Sequence, residues 1–261
     1  MTMKNRTKIN ELIANWIPGA IYSVRWLLEQ GYTYSNLQTY KSSGWTKSIG
    51  TGALIKSGDE VHWQGAVWAL QEQLKLSVHV GGKTAIEQSG SAQYLTLGKQ
   101  KIFLIAEPKI KLPTWFKKTK WDAEILFIQS SLFDEKLKAK PLAERGLMFV
   151  EFGRFKVIYS SRERAMLEYL NQVPERHSFE EAKEIMENLI TLRPKLVQTL
   201  LEHCASVKAK RLFLAFAEKA NHPWLKRLDL SKVDLGNGSR QLVQGGEFNS
   251  KYKITVGSSH E

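Results

Sequence analysis

The sequence predicts an α+β chain, and three patterns carry that prediction. Within residues 23–56, a helical run opening at Ser23 stops at Gly31, and a second run over 35–42 ends at Gly44. A candidate hairpin then pairs residues 45–49 with 53–56 across Gly50-Thr51-Gly52. From Tyr94 to Ser160 the pattern is rich in strands, and after Ser160 it turns helical. Helix, turn, helix and a glycine-centred ribbon is the order of a winged helix-turn-helix. The remainder reads as a larger mixed α/β domain, with a central and mostly antiparallel sheet followed by helices. The expected boundaries are 1–95 for the N-terminal domain, with its core in 1–58, then 96–245 for the larger domain and 246–261 for a polar tail. A length of 261 residues suits two cores better than one.

Composition bounds the partners. A formal charge of +12 favours a polyanion, because each Lys or Arg that neutralises a phosphate releases condensed counterions. An acidic membrane would also satisfy that charge. However, no apolar run approaches the roughly 18 residues of a membrane span, and residues 1–10 lack the apolar segment of a secretory signal. A cytoplasmic, non-membrane protein is therefore expected. The single cysteine, Cys204, excludes an intrachain disulfide and fits a reducing compartment.

Along the chain, Ile9, Leu12, Ile13 and Trp16 recur at helical spacing and mark the buried face of a first helix. Pro18-Gly19 breaks it. Ser23 caps the next helix, with Val24, Leu27 and Leu28 inward and Arg25 and Glu29 facing water. The run 35–42 has one core-like residue, Leu37. Its other members are Ser35, Asn36, Gln38, Thr39, Tyr40, Lys41 and Ser42, an odd composition for a structural helix but suited to reading DNA. Asn and Gln amides pair with adenine, Ser and Thr serve bases or phosphates, and Lys41 reaches a phosphate or guanine. The same composition also fits a solvated helix in a small protein-binding domain. Lys47 and Lys56 flank the ribbon, as residues of a wing along the backbone would. Seven cations (Lys4, Arg6, Lys8, Arg25, Lys41, Lys47 and Lys56) face only Glu11 and Glu29 in this stretch.

Further on, a helix is expected over 61–74 and strands over 77–80, 94–97, 101–106, 124–129, 147–152 and 154–160. Gly98 and Gly153 are read as turns between adjacent antiparallel strands. Helices follow over 161–171, 178–190, 194–204 and 209–220, the second opened by a Ser178/Glu181 capping box. One edge strand is expected over 253–256. Residues 99–120 hold a second basic cluster (Lys99, Lys101, Lys109, Lys111, Lys117, Lys118, Lys120) interleaved with Trp115, Phe116 and Trp121. Two readings stand: a nucleic-acid surface with stacking aromatics, or buried aromatics beneath a solvated cationic edge.

Catalytic patterns are weak. Gly81-Gly82-Lys83-Thr84 lacks the Gly six residues before its Lys, where Ser77 stands, so it is too short for a triphosphate loop. The six histidines form no zinc-ligand spacing. Glu107-Pro108-Lys109, with Asp122 and Glu124, faintly resembles the carboxylates of a metal-dependent DNA nuclease, the alternative reading for the chain. No cofactor is expected.

Separated blocks in order carry a resemblance across residues 8–256: Tyr40-Lys41-Ser42-Ser43-Gly44-Trp45, Trp63-Gln64-Gly65-Ala66, His79-Val80-Gly81-Gly82-Lys83-Thr84-Ala85, Leu192-Arg193-Pro194-Lys195-Leu196-Val197, Lys210-Arg211-Leu212-Phe213, and 224–230. In these the chain resembles the AbiEi-type antitoxins of bacterial type IV toxin-antitoxin (abortive infection, phage defence) systems. The resemblance implies a non-enzymatic repressor of its own operon. It would bind double-stranded promoter DNA and neutralise an AbiEii-type nucleotidyltransferase toxin without requiring a stable complex. Carried over by position, the DNA-reading helix is 35–42 and the wing 47–56.

Overall fold

The structure, a computed structural model, describes residues 3–90 and 99–257, with side chains from residue 8 onward. The strand expected over 94–97 lies outside the described residues. The chain divides into two compact units, one of residues 1–79, 98–129 and 149–158, the other of 80–97, 130–148 and 159–261.

In the first unit, α1 (Met3–Asn15) buries Ile9 and Leu12, with Trp16 just beyond its end. A turn through Gly19 leads to β1 (Tyr22–Ser23), a short strand absent from the sequence reading. Its signal is a buried glutamine far along the chain: Gln73 donates to the Ile21 carbonyl (2.8 Å) and accepts from the Ser23 N–H (2.7 Å), as a neighbouring strand would. Ser23 caps α2 (Val24–Glu29), as expected. Gly31, at φ +85°, ends that turn. The second helix, α3 (Tyr34–Ser42), begins one residue earlier than predicted because Thr33 and Asn36 form a reciprocal capping box. β2 (Thr46–Ser48) and β3 (Ala53–Lys56) pair antiparallel, and β1 pairs antiparallel on the other side of β3, giving the sheet order β1-β3-β2.

α4 (Trp63–Trp68) runs into a π-helical turn, Ala69–Gln73. The wide turn accompanies two buried glutamines with backbone partners: Gln73 holds β1, and Gln71 bonds the Val78 carbonyl (3.0 Å) and the Ile158 N–H (2.9 Å). Gly65 of α4 lies against the Gly19 turn so closely that an added Cβ would sit 2.0 Å from the Gly19 carbonyl oxygen. Gly65→Ala is therefore expected to cost about 3 kcal/mol, the upper part of the usual overpacking range. A urea midpoint equal to that of the wild type would refute this packing.

β4 (Val78–Val80) and α5 (Gly82–Gln88) follow. After the undescribed residues, β5 (Lys101–Ala106), α6 (Thr114–Lys118) and β6 (Glu124–Gln129) belong to the first unit. The expectation of a mostly antiparallel central sheet is corrected here. β5 and β6 are parallel from Lys101↔Glu124 to Ala106↔Gln129, and β4 meets β8 (Phe155–Ser160) in parallel at Val80↔Tyr159. The physical reason was present in the sequence. Residues 102–106 form one unbroken buried apolar run, and residues 107–123 are long enough to cross over with a helix, both marks of parallel pairing. β7 (Leu147–Phe152) leads into β8 through a tight turn at Gly153.

In the second unit, α7 (Glu135–Lys138) precedes a helical layer of α8 (Arg162–Leu170), α9 (Phe179–Asn188), α10 (Pro194–His203) and α11 (Val207–Lys219). α8 is packed by α5, α9, α10 and α11. Residues 246–257, read as polar tail, contain two short strands. β10 (Glu247–Asn249), β11 (Ile254–Val256) and the earlier β9 (Arg240–Gln241) form a sheet with β11 in the centre, not at an edge. Tyr252, Ile254 and Val256 turn inward at every second position, a period hidden by the polar residues between them.

Candidate nucleic-acid interface

The exposed face of α3 and the turn between β2 and β3 enclose an open cleft of about 740 Å³. Tyr34, Ser35, Gln38 and Lys41 line it from the helix, and Ser48, Gly50, Thr51 and Gly52 from the ribbon. No carboxylate lines it. Tyr40 sits on the opposite face of α3 and is fully buried, and Leu37, also buried, lies at the inner edge of the cleft, which together fix the helix's rotation about its axis. The hairpin is held from behind, since Gly50 (φ +62°) presses on Trp115 of α6 and an added Cβ would lie 3.0 Å from the Trp115 Cα.

The sequence-predicted site residues divide into three groups. Ser35, Gln38 and Lys41 come together in the cleft. Thr39 is half-buried and its hydroxyl donates to the Ser35 carbonyl (2.9 Å), while Arg25 is exposed on α2 and pairs with Glu29 at 3.1 Å. Lys47 is exposed on β2 and Lys56 half-buried at the end of β3, flanking the ribbon without lining the cleft. Asn36 and Tyr40 stand apart from any exposed face. Asn36 is buried, its carboxamide oxygen accepting from the Thr33 N–H (3.1 Å) and hydroxyl (2.9 Å), and Tyr40 is fully enclosed. Helical spacing hid this: Asn36, Leu37 and Tyr40 share one side of the helix, and the capping box claims the only amide among them. The sequence reading missed Tyr34, 71% exposed, together with Ser48 and Thr51. For Thr51 the signal was its place between two glycines at a hairpin tip.

The aromatics of the second basic cluster are core residues. Trp115, Phe116 and Trp121 are buried against one another, with ring centroids 5.7 and 5.5 Å apart, so they offer no face for a base. The carboxylates of the nuclease reading do not converge. Asp122 bonds His62 Nδ1 (2.8 Å) and accepts from the Trp63 N–H (3.3 Å), and no three His, Cys, Asp or Glu side chains gather as metal ligands among the described residues. Nor is any described helix long and apolar enough to cross a membrane.

Comparison with known families decides the wider identity. Residues 5–97 match the N-terminal domain of the AbiEi antitoxin transcriptional regulators, and residues 99–257 match the transcriptional regulator, AbiEi antitoxin, of type IV toxin-antitoxin systems. The chain belongs to the AbiEi antitoxin family. No curated protein matches it. Among solved structures it is similar to the RV2827C protein from Mycobacterium tuberculosis, at TM-score 0.57 and 10% identity, covering 98% of this chain and 92% of that one. That likeness concerns the fold.

Several of the sequence blocks in this AbiEi chain have structural explanations. At Gly81-Gly82-Lys83-Thr84, the Gly82 N–H donates to buried Glu168 (3.1 Å) and Lys83 pairs with Glu181. A carboxylate of the protein itself thus occupies the place where a phosphate loop would hold its ligand. Arg193 places its side chain and its backbone N–H on Glu163 just before Pro194 opens α10. Arg211, 1% exposed, donates to the carbonyls of Leu235 (2.8 Å), Gly236 (3.1 Å) and Lys253 (2.8 Å), tying the C-terminal segment to α11.

Proposed function

We propose that this AbiEi chain is a cytoplasmic antitoxin that represses its own operon through a winged helix-turn-helix and neutralises a cognate AbiEii-type nucleotidyltransferase. In this reading α3 is the DNA-reading helix, the β2–β3 ribbon is the wing, and residues 96–245 act on the toxin. The observation that carries the DNA assignment is the α3–ribbon cleft, where Ser35, Gln38 and Lys41 converge with no acid among the lining residues. An amide, a hydroxyl and a cation on one exposed helix face supply base-edge and phosphate contacts together. Family membership supports the regulatory and antitoxin roles.

Gln38→Ala is expected to weaken binding to the protein's own promoter about 10- to 100-fold, the worth of one bidentate base contact, while non-specific DNA is bound as before. Lys47→Ala should weaken both DNAs alike. Gel shifts with promoter and scrambled duplexes separate these outcomes, and promoter affinity unaltered by Gln38→Ala refutes α3 as the reader. For the antitoxin role, co-expression with an AbiEii-type nucleotidyltransferase toxin should restore growth. Growth arrest despite full-length antitoxin rejects it.

A further inference from the structure

We infer that the outer edge of β6 is a self-association surface, through which two copies of this chain pair strand to strand about a two-fold axis. The strand lies wholly in the first unit and shares no lining residue with the α3–ribbon cleft, so the inference stands apart from the DNA reading.

Three observations carry it. First, β6 ends its sheet: β5 pairs it on one side, and no described strand pairs it on the other. The Glu124 N–H donates to the Gln100 carbonyl (2.8 Å) on the β5 side, so the alternating backbone turns the N–H and C=O of Ile125, Phe127 and Gln129 outward. Second, the strand lacks what blunts a lone edge. Ile125, Leu126, Phe127 and Ile128 are half-buried and apolar on both faces, with no charge, Pro or bulge among them. By contrast β7, at the other end of the sheet, carries Glu151 paired with Lys156 at 2.7 Å, and the edge strand β2 carries exposed Lys47. A six-residue apolar strand left bare is an aggregation hazard. Third, the strand complements itself. Opposite residues of an antiparallel pair turn their backbones alike, both toward the partner or both away, so two copies of one strand meet only where a residue faces its own counterpart. With Phe127 on the axis, Phe127 faces its counterpart, Leu126 faces Ile128, Ile125 faces Gln129 and Glu124 faces Ser130. No like charges meet, and apolar residues cover apolar ones. A second copy brings this complement by symmetry, and pairing edge to edge it closes at two.

Sedimentation velocity of the full-length protein is expected to show a reversible equilibrium between 29.8 kDa and twice that mass in the micromolar range. Phe127→Lys sets two ammonium groups against each other on the axis, and should raise the dimer dissociation constant about 100-fold or more. A thermal melt checks that this variant folds, and if it does not, cross-linking decides. Leu126→Cys and Ile128→Cys face one another across the pairing, and the native Cys204 is buried. Under oxidised glutathione a mixture of these two variants should form disulfide-linked dimers, and either variant alone far fewer. A chain that stays monomeric throughout the range overturns the pairing. So does a dimer that folded Phe127→Lys leaves unchanged, a mixture that cross-links no better than each variant alone, or growth past two copies with concentration.

Discussion

Replacing Arg193 by Ala should destabilise the protein by about 3–5 kcal/mol, the cost of stranding a buried charge. The expectation follows from the asymmetry of its pair with Glu163. The Glu163 side chain is 3% exposed and the Arg193 side chain 63% exposed, so the acid bears the burial and the base remains near water. Burial alone would raise the Glu163 carboxyl. The Arg193 guanidinium (2.9 Å to each oxygen) and its backbone N–H (3.0 Å) outweigh that effect and hold the group at about 2. Arg193→Lys should recover only part of the loss, because an ammonium cannot meet both carboxylate oxygens in the fork geometry. Glu163→Gln in the Arg193→Ala background should restore stability, since an uncharged amide no longer demands a cation. Urea unfolding of the three variants decides the matter. If Glu163→Gln gives no relief, the cost of Arg193→Ala lies in packing and not in charge.

This pair also shows where the sequence was legible and where it was not. α2, α3 and the ribbon were readable because each is punctuated locally: Ser23 caps, Gly31 and Gly44 stop, and Gly50 and Gly52 turn. The apolar faces of α10 and α11 were readable from their periods, which burial of Leu196, Leu200, Leu212 and Phe216 bears out. α8 was read only in part. Glu163, Arg164 and Glu168 look like a solvent-facing stripe, yet all three are buried, because their partners lie in α5, on α8 itself and at the start of α10. Neutralisation by residues remote in sequence leaves no local pattern. β1 was unreadable for the same reason, its partners being β3 and the Gln73 side chain. In the cleft, residue types on α3 indicated the chemistry, but which of them face outward depended on a capping box and a buried tyrosine. Parallel pairing was legible in principle, from an unbroken apolar run and a long crossover, and the glycine turns drew attention away from both.

Acid should weaken the protein in two stages, the first set by His177. The imidazole is buried, stacked on the Tyr169 ring with centroids 4.0 Å apart. Burial is the main force lowering its pKa; Glu181 of α9, 3.9 Å away, pulls the other way, and Lys83 of α5 and Arg176 add to the lowering. The result is a pKa of about 4 against an ordinary 6.5. The unfolded chain therefore takes up a proton as pH falls below 6.5 while the folded chain resists until about 4. Stability is complete above 6.5 and lost between the two values. The interval is worth about 3 kcal/mol at about 1.36 kcal/mol per pH unit. Glu163 acts below this window, its contribution complete above about 4.5 and lost as pH falls toward about 2. His177→Phe keeps an aromatic ring against Tyr169 and removes the proton site, so it should flatten the loss between pH 6.5 and 4 and leave the lower stage in place. Urea midpoints measured at pH 7, 5.5 and 4.5 give the comparison. If wild type and His177→Phe decline in parallel over that range, the first stage belongs to other groups and the buried imidazole is not the sensor of mild acid.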